Sequence, residues 1–532
     1  MPRDNELHRN GSARWAERNE IADAGIFKKG ERGLYIGSAF GRALHWNGEG
    51  AVLCCASPRS GKFTGFGARN CLTGSSQANK VFLSPKLEEA VVGFDQTAEA
   101  RKSYHVTTTP RYDLQQDKVN PVGHIHEDSP TLEDDIQAWC KDALPESGGG
   151  NAKYFELTAQ RLMEGLGLTI TEWEGQLILP ALYDAANLVQ QDDSAWEHLA
   201  KHMRMSRFDK SRAVEAEISM GRASGSNSFY GVVAEVQNAL SPLSISNVRR
   251  VFSPPFTFTL EEYVRTPNCN LHLGPEAEFI KGQKLIWRSM LSTIATLKRR
   301  HIDAPKIDLW IDEAVLLAPF PLIGELVNFA PGYGLRTIII VQSLRQLDQL
   351  FDHGREVITD GVAVQIYLGI NGIDTARLLS ATLGNQTLYF NDELAQAKAE
   401  LEARRAVDTM LRGGDPFRAG LEQKYFEKAA RNRPQQVRRL MNEDEIINMP
   451  KGEGFIFVDG MEHPIYAEFP PYYEQRGLAG RFLPSPFFPP HDRIRVKTLL
   501  GHKWRPVHRG PPPEQFRDFP QYQHHDHLWV GK

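Results

Sequence analysis

The sequence predicts an α/β fold, a mostly parallel central sheet flanked by helices with an all-α insertion, and three observations carry that prediction. Short apolar runs of strand length recur, each followed by a helix-compatible segment: AVLCCA before SPRSGK, then KVFLSPKLEEA. Strands alternating with helices indicate parallel pairing through crossover helices. From Thr171 to Ala239 the alternation stops and almost everything reads helical (EGQLILPALYDAANLVQ, SAWEHLAKHMRM, RAVEAEISMGRA, FYGVVAEVQNAL). Beyond it the α/β texture resumes with NCNLHLGP, a long helix from about Ile280 to Arg300, IDLWIDEA, LRTIIIVQS and VAVQIYLGI.

In chain order, residues 1–32 form a polar leader with a helix expected around Ala13 to Asp23. GLYIGSAFGRALHWNGEG reads as a hairpin, β-branched and aromatic residues spaced by glycines. It opens the first part of a nucleotide-binding domain, residues 33–170, and the helical insertion occupies 171–239. The second part spans 240–475; within it 393–441 is charged and helical, and KGEGFIFVDGMEHPIYAEFPPYY has edge-strand character. Residues 476–532, rich in Pro, aromatics and His, read as an extended tail lying on a surface or awaiting a partner.

Composition narrows the class. The 532 residues are 41% hydrophobic, 24% charged and 10% aromatic, which excludes wholesale disorder and fibrous repeats. Lys plus Arg number 62 against 66 Asp plus Glu, a net charge of -4, so the chain is not globally basic. No run approaches the ~18 apolar residues of a membrane helix, and the N-terminus has no signal-like apolar core. Cys54, Cys55, Cys71, Cys140 and Cys269 form no metal spacing, and a reduced, cytosolic setting is expected.

The sharpest local motif is ASPRSGKFT, Ala56 to Thr64. A phosphate-binding loop needs backbone N–H groups after a strand, a lysine reaching the β/γ oxygens, and a helix N-terminus behind. Gly61 and Lys62 supply the central pair, with Arg59, Ser60, Phe63 and Thr64 around the phosphates. Ala56 stands where the first Gly is usual, and Phe63 where a hydroxyl usually holds Mg²⁺. Thr64, one residue on, would need a shifted backbone to hold the metal. IDLWIDEA adds a strand ending in Asp312 and Glu313: Asp312 to sit beside Mg²⁺ through water, Glu313 to orient the attacking water. The other reading is a strand end capping the next helix. LRTIIIVQS ends a third strand in Gln342, either a γ-phosphate sensor or an ordinary capping residue. The three together, in this order, point to ATP and Mg²⁺.

These segments resemble the type IV coupling proteins of conjugation and secretion, the TraG/TraD group of P-loop ATPases. The resemblance runs from about Gly33 to Tyr473: YIG…ALHWNGEGAVLCCASPRSGK, SPKLE (Ser84 to Glu88), VNP (Val119 to Pro121), LWIDEA, GYGLRTIIIVQSLRQL and RRLMNEDEIINMP…GFIFVDGMEHPIYAEFPPYY. It implies a RecA-like, hexameric motor at the cytoplasmic face of the inner membrane, peripheral here. Such a motor works with type IV secretion inner-membrane components, recruits relaxase–DNA complexes or protein effectors, and holds DNA without sequence specificity. By position, Lys62 is the phosphate lysine, Asp312 the Mg²⁺ aspartate, Glu313 the catalytic glutamate and Gln342 the sensor, with Lys86 and Glu88 lining the same site.

Departures from the family pattern leave a second reading open. The family's two membrane helices have no counterpart, so docking would come from partners. Ser84 replaces an aspartate, and Pro331 stands before GYG where relatives often carry an arginine acting on a neighbouring subunit; Arg336 or Arg345 would have to replace it. With Phe63, these departures favour a nucleotide-binding scaffold of weak catalytic power that recruits effectors or relaxase. A free double-stranded DNA pump is disfavoured by the block Arg438 to Tyr473. Lys298, Arg299 and Arg300, then Arg249 and Arg250, then Arg431, Arg433, Arg438 and Arg439 are the candidate DNA-facing cations, or else solvated faces paired with nearby acids. His524, His525 and His527 read as a surface run rather than a metal site.

Overall fold

A computed structural model describes residues 11–73, 76–94, 101–146, 149, 151–389, 393–412, 415–430 and 435–531. These form two compact units: a larger one of residues 18–370, 450–461 and 465–531, and a smaller one of residues 11–17, 371–449 and 462–464.

The larger unit is built on strands β1 (Leu34–Ala39), β2 (Arg42–Trp46), β3 (Val52–Ala56), β4 (Asn79–Leu83), β5 (Lys102–Thr107), β6 (Cys269–Gly274), β7 (Ile307–Asp312), β8 (Leu335–Val341) and β9 (Val364–Leu368). The smaller unit contributes β10 (Asn385–Tyr389) and β11 (Gln435–Arg439), and the larger one resumes with β12 (Glu453–Val458) and β13 (Ile465–Glu468). Among the described residues eleven strands form one sheet, ordered β2-β1-β13-β12-β9-β3-β8-β7-β4-β6-β5. From β9 to β5 every pairing is parallel. From β9 through β12, β13 and β1 to β2 every pairing is antiparallel. The α/β architecture read from the alternating runs is therefore present. β12 was expected at an edge, but it lies between β9 and β13, and the edges are β2 and β5.

The central strands explain their own composition. VLCCA, NKVFL and LRTIIIV are buried at every position, as strands covered on both faces must be. Arg336 in β8 is the costly exception. Its fork reaches both carboxylate oxygens of Asp308 on β7 at 3.0 Å, and it donates to the Arg32 and Gly48 carbonyls at 2.9 and 3.0 Å. Arg32 joins from the other side, 3.0 Å from Asp308 and 3.0 Å from Glu49. Burial alone would raise the Asp308 carboxyl, but Arg336 and Arg32 hold it below the usual carboxylate range. Arg336 is thus committed to the fold and is not an arginine for a neighbouring subunit; Arg345 is exposed.

Between β5 and β6 helices follow one another from Leu132–Ala143 to Leu260–Arg265, with no named strand among them. The helical stretch is wider than the 171–239 expected. Its longest member, Asn151–Glu174, runs through GLGLT without interruption. Gly165 is there for packing: a Cβ on it would stand 2.5 Å from the Val214 Cβ of the neighbouring helix.

The N-terminal helix is shorter than expected, Arg18–Asp23 with Ile21 buried. The C-terminal segment is not an extended tail. β14 (Arg493–Thr498), β15 (Gly501–Gly510) and β16 (His527–Val530) form an antiparallel sheet. Its Ile494 and Val496 pack with Ala68 and Leu72 behind the phosphate loop, and with Val92, Tyr472, Leu478 and Phe482. Scattered prolines and aromatics conceal a pattern in which β14 alternates Ile494 and Val496 with Arg493, Arg495 and Lys497. In the smaller unit, β10 and β11 pair antiparallel beside the helices Ile373–Leu383, Glu393–Leu411, Pro416–Ala430 and Glu443–Ile447. Among the described residues no helix is long and apolar enough to cross a membrane.

Removing one member of a buried charge cluster strands the others without a partner. Asp308→Asn should therefore lower unfolding free energy by about 3 to 5 kcal/mol in urea titrations, whereas Glu325→Gln, in an exposed pair with Arg299, should change it by less than about 1 kcal/mol.

Candidate nucleotide-binding site

β3 ends at Ala56, the loop Ser57–Gly61 follows, and a helix begins at Lys62 with a π-wound stretch to Gly67. The loop turns back through two residues of positive φ, Arg59 at 65° and Gly61 at 95°. Gly61 meets the demand of that conformation at no steric cost. Arg59 is exposed at the crest and Ser60 is buried, its hydroxyl without a hydrogen-bond partner among the described residues. The loop is held from the side by Gly369 after β9, where a Cβ would stand 2.6 Å from that of Ser60.

Lys62 faces the end of β7, two strands from β3 in the sheet. Its Nζ lies 3.0 Å from Asp312 Oδ1 and 3.4 Å from Glu313 Oε1. Gln342, just past β8, donates from Nε2 to the same Glu313 oxygen at 2.9 Å. The order β3-β8-β7 brings loop, glutamine and acids to one end of the parallel strands, where ligands of open α/β sheets bind. Burial would lower the Lys62 ammonium, but Asp312 and Glu313 outweigh it and raise it. The Asp312 carboxyl is raised by burial, in spite of Lys62. Glu313 holds a left-handed backbone, φ 59° and ψ 53°, a conformation costing a non-glycine residue of order 1 kcal/mol.

The other expected residues divide. Thr64 donates its hydroxyl to the Gly61 carbonyl at 3.3 Å, within its own loop. Phe63 turns its ring edge-on to Tyr472, centroids 6.3 Å apart, and joins the apolar core there. Lys86 is exposed. Glu88 accepts the Ser485 hydroxyl at 2.7 Å, drawn towards the C-terminal segment.

The acid that lines the recess beside Lys62, Phe63, Ser84 and Asp312 is Glu89, which sequence reasoning missed. Against the opposing pull of the neighbouring Ser84 hydroxyl, burial pushes the Glu89 carboxyl up to about 7. Its Oε1 has no hydrogen-bond partner among the described residues and lies 3.7 Å from His272 Nδ1. The signal available was the pair Glu88–Glu89 itself: consecutive residues of a helix point about 100° apart, so one of the two must face elsewhere.

Most of the candidate DNA-facing cations are engaged within the chain. Lys298 is buried and donates to the carbonyls of His301, Ile302 and Ala304 at 3.1, 3.1 and 2.9 Å. Arg299 pairs with Glu325 at 3.1 Å and Arg300 with Asp135. Arg249 reaches Asp184 at 2.9 Å, Arg250 reaches Gln116 at 2.8 Å, and Arg438 pairs with Glu445. Arg439 is exposed, and Arg431 and Arg433 lie outside the described residues. His527 is buried against Trp529, and among the described residues no group of His, Cys, Asp and Glu is arranged to hold a metal ion.

A family model described as "Type IV secretory system Conjugative DNA transfer" matches residues 4–410. A search of curated proteins finds no match. Among solved structures, the trigonal form of bacterial conjugative coupling protein TrwBdeltaN70 in complex with sulphate aligns with TM-score 0.61 at 13% identity, over 88% of this chain and 95% of that one. Plasmid coupling protein TrwB in complex with ADP and Mg²⁺ aligns with TM-score 0.59 at 12% identity, over 86% and 93%. TrwB in complex with the ATP analogue ADPNP gives the same values, TM-score 0.59 and 12% identity over 86% and 93%. At such identities the likeness speaks for the fold, a RecA-like sheet with an inserted helical domain. The resemblance drawn from the motifs holds over most of the chain, and the protein belongs to the type IV secretory system conjugative DNA transfer family.

Proposed function

We propose that the chain is an ATP-dependent coupling protein that recruits DNA or protein cargo to a type IV secretion channel and helps to move it. The observation that carries the reading is Lys62 held 3.0 Å from Asp312 and 3.4 Å from Glu313, with Gln342 on the same Glu313 oxygen. Around it the functional parts are a nucleotide-binding domain of residues 33–170 and 240–475 interrupted by a helical domain containing 171–239, between a leader and the C-terminal sheet. The active form is a homo-oligomer, hexameric by family resemblance, at the cytoplasmic face of the inner membrane. Its partners are inner-membrane components, relaxase or effectors, and DNA bound without sequence reading.

The two carboxylates hold the Lys62 ammonium where an arriving β/γ-phosphate takes over that charge. The buried Ser60 hydroxyl and the backbone N–H groups from Arg59 to Thr64 surround the phosphates. Glu313 and Gln342, already joined, orient the attacking water. Mg²⁺, when bound, neutralises phosphate charge; Asp312 and Glu89 offer the hard oxygen donors it takes, and Thr64 joins them only if its hydroxyl leaves Gly61. Glu89 makes good the carboxylate missing at Ser84.

The scaffold reading keeps one specific support: Arg336 is locked against Asp308 and is unavailable in trans. Rates separate the two readings. Lys62→Ala should weaken ATP binding, while Glu313→Gln should retain binding and lower turnover by ~10²- to 10⁴-fold, measured with and without single-stranded DNA. Wild-type turnover no faster than either variant establishes the scaffold.

Glu89 imposes a pH dependence. Its carboxyl rises from 4.5 to about 7 on folding, so the folded state binds more protons between those values, and stability falls as pH rises through them. Glu89→Gln should remove that slope, gaining roughly 3 kcal/mol over wild type at pH 8 and nothing at pH 4, read from denaturant unfolding at each pH.

A further inference from the structure

Two leucines close the turn between β14 and β15, Leu499 at 81% exposure and Leu500 at 102%. The turn has only these two residues between the paired Thr498 and Gly501. A two-residue hairpin connection selects Asn, Asp or Gly for their backbone freedom. Here the positive φ falls on Gly501, at 117°, so the turn makes no such demand on Leu499 and Leu500 and does not account for the choice of leucine.

The flanks are cationic. From Arg493 to Gly510 the sequence holds Arg493, Arg495, Lys497, Lys503, Arg505 and Arg509 and no acid, in a chain of net charge -4. The register sets Arg493, Arg495 and Lys497 opposite Pro506, Trp504 and His502, so these six share one face. On the opposite face Ile494 and Val496 are sunk in the core, while Lys503, paired with Val496 nearer the tip, stays exposed. Trp504 is half exposed, with the Arg493 guanidinium 5.4 Å from its ring centroid. Acids that meet the hairpin take up part of its charge: Glu474 pairs with Lys497 at 3.3 Å and His502 at 2.8 Å, Asp526 with Arg509 at 2.9 Å, and Asp492 with Arg493 at 3.8 Å. Among the described residues Arg495, Lys503 and Arg505 have no such carboxylate.

We propose that this hairpin docks tip-first on a bilayer carrying anionic headgroups, with Leu499 and Leu500 entering the acyl boundary and Arg495 and Lys503, one on each face behind the tip, meeting lipid phosphates. Apolar residues at a tip, cations just behind and a tryptophan at headgroup level are the arrangement an interfacial anchor requires. Single-stranded nucleic acid is the rival occupant of a basic, aromatic sheet face, but it needs open rings on which bases stack. Here Arg493 covers Trp504, while His508 and His527 stack on Trp529 at 5.7 and 5.4 Å. Nucleic acid also gives no reason for two bare leucines. The proposal does not depend on nucleotide binding.

Flotation of the full chain with phosphatidylcholine vesicles, with and without phosphatidylglycerol, tests it. The wild type should float with the anionic vesicles, and Leu499→Ser with Leu500→Ser should cut the bound fraction by ~10-fold at equal lipid with an unchanged melting temperature. Arg495→Glu with Lys503→Glu should abolish the preference for anionic lipid. Wild type remaining with the soluble fraction, or the serine variant floating as well as wild type, overturns the proposal. So does a chain that ignores vesicles yet binds a single-stranded oligonucleotide through Arg495 and Lys503, which assigns the hairpin to nucleic acid.

Discussion

One ammonium group between two carboxylates organises the site. Lys62 belongs to the loop after β3, Asp312 and Glu313 to the end of β7, and β8 runs between those strands. The contact exists only because the parallel strands end at a common level, and that level is set by a register tying Asp312 to Ile340 and Cys55 to Val341. Half-buried, such a triad is poised rather than satisfied: two negative charges and one positive leave an excess that a cation or a proton can balance. Burial adds to this, raising the Asp312 and Glu89 carboxyls and so favouring their neutral forms.

At the opposite end of the same strands a second charge cluster does the reverse. Asp308 is two-fold overmatched by Arg336 and Arg32, with Glu49 completing the balance. In such a cluster each carboxylate already faces cations within the chain. The sheet thus carries a closed electrostatic knot near the starts of β7 and β8 and an open one near their ends, four residues apart along β7.

Much of this was legible in the sequence because the signals are local. The runs VLCCA, IDLWID and LRTIIIV announce buried strands, and Gly61–Lys62, Asp312–Glu313 and Gln342 sit at their ends, so strand and chemistry are read in one stroke. What escaped depends on contacts distant in sequence. Whether Glu88 or Glu89 faces the recess is decided by Ser485, almost four hundred residues on, |i−j| = 397. The role of Arg336 is decided by Asp308 and by backbone carbonyls near residue 48. Phe63 breaks the phosphate-loop pattern for the sake of a core that the C-terminal sheet helps to build, and nothing within the motif foretells it. Gly165, within the helix that runs across the expected boundary at 171, permits a close crossing against Val214 that only the structure shows.

The fit of Gly369 against Ser60 has a mechanical meaning. A Cβ on Gly369 would stand only 2.6 Å from that of Ser60, so the loop cannot slump towards β9 without meeting its backbone, and β9 is the strand at which parallel pairing gives way to antiparallel. The loop is therefore buttressed by the seam of the sheet, and strain raised at its crest is handed first to the strand whose other neighbour, β12, comes from the far end of the chain.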